Sequence, residues 1–579
     1  MSPLWTRLRE RKLFQWAAGY SAAAIAGVEL LGMVADSFGW PPWVNRAVLI
    51  AAAFGFLLVV VLAWYHGERG SQRVTRGEMV ALGGLALAGV VAVALLAPGA
   101  PAPEAPVAAS LFPSSPGATR VGVIPFDDLG PAGSDDGYVA AALREEITTQ
   151  VSKVATLAVV RSDSRFRDVS TFPLAAMADS LRVRYLLGGS VLRDGNRVRV
   201  TVWIHDAEEG REVWREPFDG EFSAQTLLDI QAFVAFAVAR ELEAELAPGE
   251  VSRISRRYTY DDEAYDLYLR GVELSTRGAA QFWPDVAGIM ERVVALDSLF
   301  APAWSLLALA YVSQGNYFLM PADSAFPRAQ AAAERALALD ESLADAHVAM
   351  GFVHFSWHRD WAAAEADVDR ALALSPTASL AYYLRAFLEL VQGDFAEAVR
   401  AADRMVELAP VSGSEIRLAA RMRHMARRYG EALALFERSM IHSPDARGVH
   451  LYLALTHEQL GMTAEATEDL RRFAAGDPRL AERAHLLTER YAAEGMAGVW
   501  RLWLTWMGER PDPRPSEMAI PHARLAHTDS AVFWLERGAE VMDSWLLQLN
   551  DPLWDPVRGH PGFAALQDRR GLPLRSGAS

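Results

Sequence analysis

Ala-Leu-Ala-Leu-Asp at 336–340, Ala-Leu-Ala-Leu-Ser-Pro at 371–376, Glu-Leu-Ala-Pro at 407–410 and Ile-His-Ser-Pro at 441–444 each end an amphipathic stretch in the same way. Asp340, Ser375, Ala409 and Ser443 stand 35, 34 and 34 residues apart, an interval that signals stacked helix pairs. Working outward, the pattern occurs six times between Tyr265 and Gly476: a helix with a small residue mid-face, a short turn, and a second helix with another small residue. Two helices approach to about 8–10 Å only where side chains allow it. Gly271, Ala308, Gly351, Ala386, Ala420 and Ala454 take that place in the first helices, and Ala329, Ala364, Ala398, Ala432 and Ala466 in the second helices of five units. A single pair cannot bury its apolar face, so the pairs are expected to pile into a solenoid.

Several units resemble the tetratricopeptide (TPR) family position by position. In APAWSLLALAYVSQG, 301–315, Trp304, Leu307, Ala308, Tyr311 and Gly315 match its aromatic, leucine, small, tyrosine and glycine positions. QGDFAEA at 392–398 and YGEA at 429–432 match the turn into the second helix. The second unit carries a nine-residue insertion around Tyr317–Ala325, and the third one extra residue near His358. Beyond Asp477 the repeats decay into irregular helices. The stretch Trp534–Pro573 resembles the cap seen after such arrays, which covers the last apolar face.

The TPR resemblance implies that the first helices line a concave groove. The residues expected to face it are Leu309 and Val312, then Val348, Phe352 and Phe355, then Tyr383, Phe387 and Leu390, then Arg417, Arg421 and His424. Such a groove is apolar over three units and basic at the fifth. It suits a protein or peptide partner with bulky side chains and an acidic residue or carboxylate at one end. The alternative is that the aromatics are inter-repeat packing and the arginines a solvated face.

The first hundred residues read differently. Leu13–Ala35, Ala47–Tyr65 and Met79–Ala97 are apolar stretches, each near the roughly 20 residues that cross a bilayer. They predict a membrane domain of three transmembrane helices over 1–97. Arg7, Arg9, Arg11 and Lys12 precede the first stretch, and Arg69, Arg73 and Arg76 lie between the second and third, which puts the amino terminus inside and the carboxy-terminal domains on the periplasmic or extracellular side of an inner membrane. Trp40, Trp43, Trp64 and Tyr65 fall at the expected interfaces. Glu29 is an ionisable residue inside the first stretch, a functional candidate weighed against a neutral, hydrogen-bonded carboxyl. Gly19, Ala23 and Gly27 form a small-residue ridge that allows either packing within the bundle or homo-oligomerisation.

Pro98–Thr119 is a proline- and alanine-rich linker. From 120 to 248 short apolar runs (Val121–Phe126, Leu157–Arg161, Tyr185–Arg193) alternate with helix-like segments. Asp194-Gly195-Asn196 turns into the alternating strand Arg197–His205, Arg211–Phe218 follows, and Ala224–Leu246 closes the unit. These predict a mixed sheet covered by helices. VGVIPFDDLG and RVRYLLGGSVLRDGNRVRVTVWIHDAEEGREVWREPFDGEF resemble the TolB amino-terminal and FlgO-type domain, which implies a small α/β domain with no catalytic residues. Asp127, Asp128, Asp135 and Asp136 lack the spacing of a calcium loop and read as a solvated acidic loop.

The predicted organisation is thus a membrane domain (1–97), a linker (98–119), a TolB-like α/β domain (120–248), about six TPR-type repeats (260–476) and a helical cap (477–579). The 579 residues carry a formal charge of −16, which disfavours nucleic acid as partner of the whole molecule, although Arg417–Arg428 is locally basic. Without cysteine there is no disulfide, thiolate nucleophile or cysteine-bound zinc. No phosphate-cradling glycine loop, HExxH or Gly-x-Ser-x-Gly occurs, and His354 and His358 lack a third metal ligand. A chain that is not an enzyme and holds neither cofactor nor metal is expected: a membrane-anchored scaffold binding a protein in the TPR groove. The alternative is the sensory or regulatory part of a transmembrane signalling system, with ligand detection by the TolB-like domain.

Overall fold

The computed structural model describes residues 118–569, apart from 131–135, 163–172, 278–279, 444–447, 512 and 541–548. The alternation of Arg197–Asp206 sets the first layer: Val198, Val200, Val202 and Ile204 are buried, while Arg197 and Arg199 between them are exposed. This strand, β4, belongs to a five-stranded mixed sheet of order β2-β1-β3-β4-β5, with β1 Thr119–Asp128, β2 Leu157–Arg161, β3 Tyr185–Asp194 and β5 Arg211–Glu221. β1 lies parallel to both β2 and β3, with Val121 beside Val159 and Tyr185. β3 and β4 form a hairpin joined by Gly195-Asn196, where Gly195 takes a φ of +57° that its missing Cβ permits. Gly188 lies beneath Trp203, where an added Cβ would sit 2.4 Å from the indole.

Helices α1 (Tyr138–Val151) and α3 (Ala224–Glu241) pack on each other against this sheet, while α2 (Leu174–Leu181) precedes β3. Met177, Ala178 and Leu181 of α2 join Ile124, Val160 and Leu186 in a cluster completed by Val411 of the repeat array. The short α4 (Pro248–Ile254) leads into the array.

Six helix pairs follow: α5 Asp262–Thr276 with α6 Trp283–Leu296, α7 Ala301–Asn316 with α8 Ala322–Leu339, α9 Ala344–Val353 with α10 Trp361–Leu374, α11 Ser379–Gln392 with α12 Phe395–Leu408, α13 Gly413–Met425 with α14 Tyr429–His442, and α15 Gly448–Gln459 with α16 Thr463–Ala475. Each helix packs on the next, and from α7 onward each first helix also touches the first helix of the next pair, the connectivity of a TPR-like solenoid. Every alanine expected at a helix crossing is at most 1% exposed. An added Cβ at Gly271 would meet Met290 Cε at 2.3 Å, and one at Gly351 would meet Leu384 Cδ2 at 2.9 Å. The extra residue of the third unit is absorbed as a π-turn over His354–His358. Left-handed residues at 359, 393, 427 and 461 end the first helices at a constant interval of 34; two are Gly393 and Gly461, two are Arg359 and Arg427. The remaining helices α17 (Leu486–Gly508), α18 (Pro515–Arg524), α19 (Thr528–Glu540) and α20 (Pro561–Arg569), with a 3₁₀ turn Pro552–Val557, close the end of the array.

This architecture corrects the expected fold class. The protein is mostly helical, with a small sheet and a TPR-like helical solenoid, and among the described residues no helix is long and apolar enough to cross a membrane. Three transmembrane helices and a multi-pass inner-membrane location are therefore not supported. The array's helices are amphipathic and turn their apolar faces toward each other. The stretches 13–35, 47–65 and 79–97, with Glu29 and the Gly19–Gly27 ridge, lie outside the described residues.

The α/β layer joins the array through α1, which packs on α5, and through β2, which meets α12. Arg120 Nη2 donates to Glu407 O at 2.9 Å, and Tyr268 OH donates to Glu146 Oε1 at 3.1 Å. Lys153 Nζ donates to Gln150 Oε1 at 2.8 Å and Arg253 O at 3.2 Å. Desolvation at this junction pushes the Glu146 carboxyl up to about 7, against the opposing Tyr268 hydrogen bond, and pushes Lys153 down to about 8.

Two outcomes follow for stability. Ala398→Leu, at a fully buried crossing, is expected to overpack two helices and cost about 1–3 kcal/mol, read as a lower urea midpoint. Glu146 carries a raised value, so its contribution is full below its unfolded value of about 4.3 and is lost as pH rises through about 7. Lys153 has the opposite sign: its contribution is present above about 10.4 and is lost as pH falls through about 8. Glu146→Gln is expected to flatten the decline in thermal midpoint between pH 5 and 8, measured by circular dichroism; an unchanged pH profile would refute the assignment.

Candidate partner-binding wall

Contacts between successive first helices bring five of the eleven expected groove residues, Phe352, Tyr383, Phe387, Arg421 and His424, into one row. Phe352 and Tyr383 ring centroids are 6.1 Å apart, and Tyr383 and Phe387 4.8 Å. The Arg421 guanidinium lies 5.0 Å from the Phe387 ring and 5.1 Å from Tyr452, so that one cation is held between two aromatic faces. His424 shares a hydrogen bond with Thr456 Oγ1 at 2.9 Å and meets the Tyr429 ring edge-on at 5.4 Å.

Burial sorts these residues into two sets. Val312, Val348, Phe352, Phe355, Phe387, Leu390 and His424 are buried, packed between repeats or covered by other parts of the chain. Leu309, Tyr383, Arg417 and Arg421 are half-buried and form the strip that reaches solvent. Burial raises the Tyr383 hydroxyl above its ordinary value and lowers the Arg417 guanidinium. Arg417 forms no ion pair with the described residues, and its Nη1 is buried without a hydrogen-bond partner. Its neighbour Arg423, buried on the other side of α13, is instead matched by Asp403 at 2.7 Å and Glu431 at 3.3 Å.

Other parts of the chain crowd the wall. Tyr317, exposed at the tip of the second unit's insertion, approaches Arg417 and Tyr383 closely enough to affect them electrostatically. Phe318 beside it has a left-handed φ of +59° and lies under the guanidinium of Arg514, 5.1 Å away, at the start of α18. Asn550 meets Leu390 at the end of the fourth unit's first helix, and Asp551 lies against His424 of the fifth. The sequence offered no signal for this covering, since the contacts span about 160 residues. Tyr452 was equally hidden, because its role depends on where Arg421 points.

The remaining candidates resolve into structural pairs. His354 Nδ1 meets Asp367 Oδ2 at 2.8 Å, His347 Nδ1 meets Asp367 Oδ1 at 3.2 Å, and His358 Nε2 meets Gln330 Oε1 at 3.0 Å. His450 and His457 bracket Asp469 in the same way at 3.2 and 2.8 Å, a duplication visible only once both helices of a unit are in place. In the acidic loop Asp128 accepts from Gly130 N at 2.9 Å and Asp136 pairs with Arg193 at 3.2 Å, while Asp135 is outside the described residues.

No family model matches the chain. A curated protein named putative adenylate cyclase 3, from Rhizobium meliloti (strain 1021), is 30% identical over 215 residues, which are 36% of this chain and 36% of that protein. The chain thus spans about a third of the length of this relative. The relative overturns the expectation that the chain is not an enzyme, because it bears the name of one. Similar solved structures include TTC0263, a TPR protein of Thermus thermophilus (TM-score 0.29, 14% identity, 33% of this chain and 98% of that one). Two others are Pseudomonas aeruginosa pilF (0.30, 22%, 38% and 94%) and the type IV pilus biogenesis factor PilW (0.32, 21%, 39% and 100%). At such TM-scores these likenesses do not bear on function; the repeat assignment rests on the helix pairing described above.

Proposed function

We propose that the chain is a protein-interaction scaffold that receives a peptide segment on the inner wall of its TPR-like array. The reading is carried by Arg417, a half-buried guanidinium that forms no ion pair with the described residues and lies near Tyr317, one helical turn before the stacked Arg421. A cation so placed is best satisfied by a carboxylate of a bound segment, whose bulky side chains rest on the aromatic strip. The α/β unit over 120–248 is read as a TolB-like sensor fixed to the scaffold, with the repeats over 260–476 and the cap over 477–579. In a display library of random peptides selected on the full chain, acidic residues beside aromatic or leucine residues are expected to be enriched. Arg417→Gln is expected to weaken the selected peptides by about tenfold, the loss of one charge-assisted hydrogen bond, in fluorescence anisotropy.

The cyclase relative favours a second reading, in which scaffold and sensor serve nucleotide signalling. The similarity over 215 residues supports a shared regulatory or catalytic part. Incubating the purified full chain with ATP and a divalent cation, and measuring cyclic AMP, tests whether catalysis itself resides here.

A further inference from the structure

At the ends of α11 and α13 the array is covered by a segment of the chain itself. Asn550 donates from Nδ2 to Leu390 O and Val391 O, both at 3.2 Å, at the end of α11, where Leu390 O also accepts from Gly393 N. Asp551 is fully buried, its Oδ1 3.7 Å from His424 Nε2 and accepting from Leu553 N at 2.8 Å. Leu553 and Trp554 are buried beside it. Asp555, at the rim, receives Arg427 through two contacts of 2.9 and 2.7 Å. Asn550, Asp551 and Asp555 thus meet the ends of α11 and α13, while the turn Pro552–Val557 packs on α18 and α19.

Arg427 adopts a φ of +62° at the helix-ending place that Gly393 and Gly461 fill in the units on either side and that Arg359 fills, at +57°, in the third unit. From this place its guanidinium reaches Asp555. The segment meanwhile reproduces the chemistry that the open strip at Arg417 lacks: acid, bulky residues, acid.

We propose that the ends of α11 and α13, with α18 and α19 on the apolar side, form a receptor for segments in which an acidic residue is followed by bulky apolar residues and a second acid. Asn550–Val557 is its resident occupant, and a partner protein carrying such a segment binds by displacing it. The proposal rests on the scaffold reading and specifies how its wall is regulated. A tethered occupant competes at an effective concentration of order millimolar, so an incoming segment is held off until it outcompetes the resident.

The test adds a labelled acetyl-Asn-Asp-Pro-Leu-Trp-Asp-Pro-Val peptide in trans to the full chain and follows anisotropy. Asp555→Asn loosens the resident and leaves the receptor intact, so the peptide is expected to bind about threefold tighter than to the unaltered chain. Arg427→Gln loosens the same contact but strips the receptor, so no gain is expected. Amide exchange at the ends of α11 and α13 should quicken in Asp555→Asn and slow again when peptide is added. Equal gains in both variants, or no binding to Asp555→Asn, would overturn the proposal and leave the segment a fixed cap. Should Asp555→Asn fail to fold, Asp555→Glu, which keeps the charge and alters the reach, carries the comparison. If display-selected peptides bind the Arg417 strip while this octapeptide binds no variant, the resident-ligand idea falls and the scaffold stands; if no peptide of either kind binds, both fall.

Discussion

Close approach of helices through alanine and glycine is the constraint on which the rest of the structure depends. Ala308, Ala329, Ala364, Ala386, Ala398, Ala420, Ala432 and Ala466 are wholly buried, and Gly271 and Gly351 lie where a methyl group would collide with Met290 or Leu384. Dispersion and apolar burial at these crossings fix the spacing of the pairs, and the repeated spacing fixes the curvature of the array. Every larger feature is positioned by that curvature: the row of aromatic and cationic side chains on the inner wall, the insertion that reaches the cap, and the helices that receive the α/β layer.

The junction between sheet and array is more than contact between neighbours. Val411 sits in the same apolar cluster as Ile124 and Leu186, and Arg120 reaches a backbone carbonyl of α12. A shared cluster couples the two layers, so strain on one is felt by the other. The ionisable groups at this seam, Glu146 and Lys153, are poorly solvated there, which makes the seam responsive to proton activity near neutrality.

The inner wall differs from an open trough. Its apolar members are consumed by inter-repeat packing, and its basic end is covered by Asn550–Val557, leaving a half-buried strip around Tyr383, Arg417 and Arg421. The side chains of this helix face are thus divided between internal pairing and exposure. Arg423 illustrates the first, satisfied by Asp403 and Glu431, and the half-buried Arg417, with no ion pair among the described residues, the second.

Local regularities were legible in the residues themselves. The 34-residue interval, the small residues at crossings, the alternation of Val198, Val200, Val202 and Ile204, and the turn at Gly195 each follow from backbone periodicity and sterics acting over a few residues. The membrane reading of the amino-terminal stretches rested on apolar length, flanking cations and interfacial aromatics, and among the described residues no helix is long and apolar enough to cross a membrane. Which groove residues stay accessible, what neutralises each arginine, and that Asp551 lies against His424 were decided by tertiary structure, because those contacts join parts of the chain far apart in sequence. The sequence determined the units and their period; only the curvature of the assembled stack determined which surfaces face each other and which side chains still reach solvent to meet a partner.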